Sequence, residues 1–160
     1  MIIKYRNYNM MEITELKKIL NTKSRLIGVD MGSKKVGLSI SDENRKIATP
    51  FKTIDYRNID NLTTEIKKII QENDIDAIIF GNPINMDGTT GSSSQSVKDK
   101  IKILNDKIDL PMILWDERLS TIGAFNLSSQ LDINVSKRVK NIDKNAAAFI
   151  LQGALDFLNN

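Results

Sequence analysis

The sequence predicts an α/β domain built on a mixed five-stranded sheet with helices on both faces. Three features point to it. An apolar run over residues 26–30 turns through Gly32 and resumes with alternation over 36–41, the pattern of an antiparallel hairpin. Two later runs, 75–80 and 111–115, are short and nearly continuously apolar, as strands inside a sheet are. Around them, apolar residues recur at spacings of three and four, the mark of amphipathic helices.

Taken in order, residues 1–24 form an N-terminal extension, with helical spacing at Ile13, Leu16, Ile19 and Leu20, and 25–160 form the domain. After the hairpin, 47–54 makes a third strand, and Pro50 places it at a sheet edge or an irregularity. Ile59, Leu62, Ile66, Ile69 and Ile70 define a helix ending near Gln71. The strand 75–80 is closed by Gly81-Asn82-Pro83, where Pro83 stops pairing. A polar loop over 84–96 leads to a helix carrying Val97, Ile101, Leu104 and Ile108. The strand 111–115 ends in Asp116 and Glu117, with Trp115 expected in the core. Ser120 and Thr121 can cap a helix running toward Leu131, and a basic linker spans 132–141. A final helix shows Ala147, Ile150, Leu151, Ala154, Leu155 and Leu158 on one stripe.

A chain of 160 residues, 41% hydrophobic and 27% charged, has the length and balance of one globular domain with a real core. No apolar run approaches the roughly 20 residues needed to span a bilayer, and no secretory pattern opens the chain. Membrane contact is not expected, and the cytoplasm is the expected compartment. The absence of cysteine excludes disulfides and thiolate metal sites. The net charge of +3 is too mild to announce a polyanion partner. Placement is more suggestive: Lys34 and Lys35 follow Asp30, and Lys137, Arg138, Lys140 and Lys144 crowd one stretch.

The chemistry gathers where strands end. A carboxylate closing a buried strand needs a cation, a hydrogen bond or a ligand, and Asp30 is so placed. It is either a turn former or a ligand for a hard cation such as Mg2+, which takes oxygen donors. Asp116 and Glu117 close another strand. Asp143 stands four residues before Ala147, either as a helix cap or aimed at the sheet. Carboxylates so arranged can hold hard cations, which activate water and stabilise the leaving oxygen of a phosphodiester.

Four segments together resemble the YqgF/RuvX family of ribonuclease H-like proteins: Asp30-x-Gly32, the run from Gly81 to Thr89, the run from Asp116 to Thr121, and Asp143 with Ala146-Ala147-Ala148. The resemblance spans about 25–158. It implies a ribonuclease H-like three-layer fold and a metal-dependent nuclease, with Asp30, Glu117 and Asp143 as its catalytic and metal-binding acids. The implied cofactor is Mg2+, with Mn2+ as a substitute. The implied task is processing the 5′ end of pre-16S ribosomal RNA; cleavage of four-way DNA junctions and an inert binding module are the alternatives. The expected partner is structured RNA or branched DNA, met by a monomer or homodimer. Substrate contacts are expected at Lys34, Lys35, Asn85, Asp87, Thr89, Arg118, Lys137, Arg138 and Lys140. Two departures stand out. The fourth strand ends at Gly81 and Asn82, where ribonuclease H-like nucleases usually place an acid, so Glu117 would substitute, with Asp116 and Asp87 as alternatives. Asn82 also replaces the leucine of the family's Gly-Leu-Pro.

Overall fold

The alternation at the start of the domain folds into the expected hairpin in a computed structural model, which describes residues 11–83, 91–116 and 142–160, the side chains of 142–144 excepted. Strand β1 (Arg25–Met31) pairs antiparallel with β2 (Lys35–Ser41), setting Asp30 opposite Gly37 and Met31 opposite Val36. The turn is tight: a Cβ on Gly32 would come within 2.3 Å of the Lys35 carbonyl oxygen, so glycine is required there. β3 (Ala48–Asp55) pairs antiparallel with β2, and the register slips between Leu38 and Ser39, beside Pro50. β4 (Ile75–Asn82) and β5 (Met112–Asp116) join in parallel, giving the order β3-β2-β1-β4-β5. Proline on β3 is tolerated because β3 is an edge.

Four helices are described: α1 (Ile13–Ile19), α2 (Ile59–Asn73), α3 (Ser92–Lys107) and α4 (Ile142–Leu158). Period-2 alternation divides the sheet between two cores. Ile27, Val29, Val36, Leu38, Ile78, Phe80 and Met112 meet α2 and α3. Leu26, Ala77, Ile79, Ile113 and Trp115 meet α4 and α1. Trp115 is buried and meets Phe157 edge-on, with ring centroids 5.9 Å apart. The three layers and mixed sheet match the expected fold class. Among the described residues no helix is long and apolar enough to cross a membrane.

Two details differ from the sequence expectation. The α3 helix begins at Ser92 rather than near Val97. Serine is suited to a helix N-terminus, and the run Ser92-Ser93-Ser94 makes its first turn, with Ser94 fully buried. In the N-terminal stretch, α1 lays Leu16 into the α4-side core with no exposure, so this part of 1–24 packs on the domain. The loop 84–90, the expected helix toward Leu131 and the basic linker lie outside the described residues.

Both ends of α4 are located by its contacts. Near its C-terminus, the Gln152 side chain accepts from Ala48 N–H (2.9 Å) and donates to the Lys46 carbonyl (3.0 Å), while Asn159 donates to the Arg45 carbonyl (2.7 Å). Those partners lie in the β2–β3 turn, at the start of β1, where Ser24 N–H donates to the Glu43 carbonyl. The helix therefore runs antiparallel to β1, and its N-terminus reaches the end of the sheet where β1 finishes.

Candidate active site

Gly28 sets the distance between β1 and α4. A Cβ there would stand 2.4 Å from Ser39 Oγ, 2.7 Å from the Ala147 carbonyl oxygen and 2.7 Å from Leu151 Cβ. Only glycine permits so close an approach. Ser39 fastens the same point, its hydroxyl donating to the Ala147 carbonyl at 2.7 Å, fully buried. From this contact both elements run toward the same end. Asp30 is two residues further along β1, about 7 Å. Asp143 is four residues back along α4, about 6 Å. The two advances match, so the first turn of α4 brings the backbone of Asp143 level with half-buried Asp30.

The parallel strands complete this end. Val29 pairs with Phe80, Phe80 with Leu114 and Gly81 with Trp115, so Asp30, Gly81 and Trp115 form one row. Adjacent strands lie about 4.8 Å apart, which puts Asp30 and the end of β5 about 10 Å from one another across Gly81. Gly81 contributes no side chain to that interval. The helix N-terminus beside it favours negative charge through its partial positive end.

Strand alternation also separates the two acids that close β5. Trp115 lies on the α4 face with Ile113, so Asp116 falls with Met112 and Leu114 on the α2/α3 face, opposite Asp30. Glu117 lies outside the described residues, as do Asn85, Asp87, Thr89, Arg118, Lys137, Arg138 and Lys140. Lys34 and Lys35 are exposed at the β1–β2 turn, beside Asp30. Among the described residues no three carboxylates converge as a metal-binding group.

Asn82 shows what replaces an acid at the end of β4. Its side chain is buried on the α2/α3 face, and its Oδ1 accepts from the buried Ser94 hydroxyl at 2.6 Å. It therefore braces α3 against β4 from the face opposite Asp30. Sequence reasoning placed Asn82 beside the site but missed this bond, because the Ser94 donor comes from a segment read as loop. Gly28 was missed as well: one glycine in an apolar run carries no local sign of the helix that will cross it.

Comparison with known proteins identifies the family. Residues 24–157 match the profile of a family described as RuvX: Holliday junction resolvase. A protein of Pelagibacter ubique named "Putative pre-16S rRNA nuclease" is 62% identical over 94% of this chain and 100% of its own length. A protein of the same name from Beijerinckia indica is 40% identical over 93% and 90%. Among solved structures, Thermus thermophilus RuvC in complex with a Holliday junction substrate superimposes with a TM-score of 0.57 at 10% identity, covering 82% of this chain and 93% of that one. At that identity the likeness is one of fold, a ribonuclease H-like three-layer sheet. With its profile matched from end to end of the domain and close relatives sharing nearly its full length, the chain belongs to the RuvX family.

Proposed function

We propose that this chain is a divalent-metal-dependent nuclease that hydrolyses phosphodiester bonds in structured RNA, with the 5′ end of pre-16S ribosomal RNA as its substrate. The carrying observation is the contact at Gly28, which brings the end of β1 with Asp30 and the first turn of α4 with Asp143 to one height. The names of the relatives point to the same substrate.

The donor chemistry fits a hard cation. The chain has neither histidine nor cysteine, so carboxylate oxygens are its anionic ligands. Asp30 and Asp143 would hold the ion, with Glu117 as the third acid, because alternation sends Asp116 to the other face. Mg2+ is the ion of choice and Mn2+ its replacement. When bound, such an ion lowers the pKa of a water and stabilises the leaving oxygen. The residues of the chain do the rest. Gly81 puts no side chain of its own into the interval between Asp30 and β5, where the scissile group would lie. The α4 N-terminus favours the phosphate charge. Lys34 and Lys35 offer exposed ammonium groups to the backbone on the hairpin side, and Arg118, Lys137, Arg138 and Lys140 are proposed for the same role from the sequence.

The test uses a precursor 16S transcript with its 5′ extension, a four-way DNA junction, and the variants Asp30→Asn and Asp143→Asn. The wild type with Mg2+ should trim the precursor. Each variant should lose at least about a hundredfold in rate while keeping the wild-type circular dichroism spectrum and melting temperature. Chelation with EDTA should abolish cleavage reversibly. Full activity in both variants would refute the site. Cleavage of the junction alone would transfer the enzyme to branched DNA.

A further inference from the structure

We propose that Lys34, Arg57 and Lys100, the last held in place by Tyr56, form a phosphate-contacting ridge that leads the nucleic-acid strand from Asp30 over the β1–β2 turn toward α3. This rests on the nuclease reading above. Tyr56 directly follows β3, and its backbone N–H donates to the Lys34 carbonyl at 2.8 Å, which ties it to the turn beside Asp30. Its ring is half-buried against the α2/α3 core. On that ring stands the Lys100 ammonium, 4.3 Å from the centroid. A lysine normally loses much rotamer freedom when it engages a phosphate. Here the aromatic face already restrains the ammonium near one place, on the flank of the turn.

Two neighbouring cations are already paired. Lys52 is paired with Glu65 at 3.2 Å and Lys107 with Asp60, so these two cations of the α2/α3 side are partly neutralised. Lys34, Arg57 and Lys100 take part in no ion pair among the described residues. Lys34 and Arg57 are exposed. Asp55, across from Lys35 in the strand register, is the one carboxylate in the run from Thr53 to Arg57. Cations that keep their charge unspent at the active end of a nuclease are suited to phosphates, which fix the register of a strand without reading its sequence. Tyr56 acts through Lys100 and is a positioning residue.

The experiment measures binding of a fluorescent single-stranded oligoribonucleotide by anisotropy over a salt series, with the full chain carrying Asp30→Asn to prevent cleavage. Lys100→Ala and Arg57→Ala should each weaken binding several-fold and lower the slope of log K against log salt by about 0.7, one single-strand phosphate contact. Tyr56→Phe keeps the aromatic face and should bind as the parent does. Tyr56→Leu should weaken binding as Lys100→Ala does, and the two together should be no worse than either alone. Parent-like affinity and slope in Lys100→Ala would overturn the proposal, and loss in Tyr56→Phe would overturn the positioning role. If Tyr56→Leu melts below the assay temperature, the Phe variant and Lys100→Ala decide the matter. A parent that binds no RNA, while the wild type cleaves none, would bring down the nuclease reading itself.

Discussion

Substitution of Gly28 by alanine is the sharpest test of how the active end is assembled. The new Cβ would meet Ser39 Oγ at 2.4 Å, the Ala147 carbonyl oxygen at 2.7 Å and Leu151 Cβ at 2.7 Å. Carbon atoms pack at about 3.5–4.0 Å, so the Leu151 contact alone is short by about 1 Å. The Ser39 hydroxyl can rotate away. The Ala147 carbonyl cannot, because it belongs to the helix backbone, so α4 must rise from the sheet. Overpacking of this kind costs about 1–3 kcal/mol, and stretching the buried Ser39–Ala147 bond adds about 1 kcal/mol. A chain of this length loses about 2–4 °C of melting temperature per kcal/mol. The same movement carries the first turn of α4 away from Asp30. Misplacement of a reacting group by about 1 Å can cost a hundredfold in rate. Urea unfolding and single-turnover cleavage under saturating Mg2+ measure the two effects. Gly28→Ala with unchanged stability and unchanged rate would refute the claim that this contact sets the height of Asp143 against Asp30.

Three further outcomes follow from hydrogen bonds and titration. Asp42 accepts from the backbone N–H groups of Lys46 and Ile47 (2.8 Å each) and of Asn44 (3.2 Å). Burial pushes its pKa up, but these donors outweigh it and hold the carboxyl below its ordinary value. A lowered pKa gives stability that is present above the unfolded value of about 3.9 and lost as pH falls through the folded one. Asp42→Ala should therefore cost about 1 kcal/mol at pH 7 by urea unfolding, and the deficit should shrink in acid. Asp76 has the opposite sign: burial raises its pKa, Arg45 opposes the rise and Asp74 adds to it. Its penalty enters as pH climbs above about 3.9, so Asp76→Asn should melt higher than wild type at pH 7, with the advantage vanishing near pH 3. Asn82→Leu strands the buried Ser94 hydroxyl. It should destabilise by about 1–3 kcal/mol, and the double change Asn82→Leu with Ser94→Ala should recover most of that loss in denaturant titration.

Local periodicity made much of this molecule legible. The hairpin, the apolar strands β4 and β5, the apolar stripes of α2 and α4, and the edge position of β3 all follow from the spacing of apolar residues and from Pro50, whereas β5, read as a strand inside the sheet, stands at its other edge. Asp30 was legible because a carboxylate ends a buried strand, and Trp115 because its run is apolar. The start of α3 was not: five residues of Ser and Gln precede Val97, and polarity in a first helical turn looks the same as polarity in a loop.

Tertiary structure decided what neighbours what. That α4 crosses β1 at Gly28 depends on a contact between Ser39 and Ala147, 108 residues apart in sequence. The face given to Trp115 turns Asp116 away from the face of Asp30, and a one-residue change of register would reverse it. The ring of Tyr56 under Lys100, and the bond from Ser94 to Asn82, likewise join segments that no local pattern links. The sequence by itself determined which elements form and that oxygen-donor acids close them, since turns and periodicities are written within a few residues. Which elements come to lie side by side was decided only by packing, because pairing register and the closeness of a helix to a sheet are settled between residues far apart in the chain.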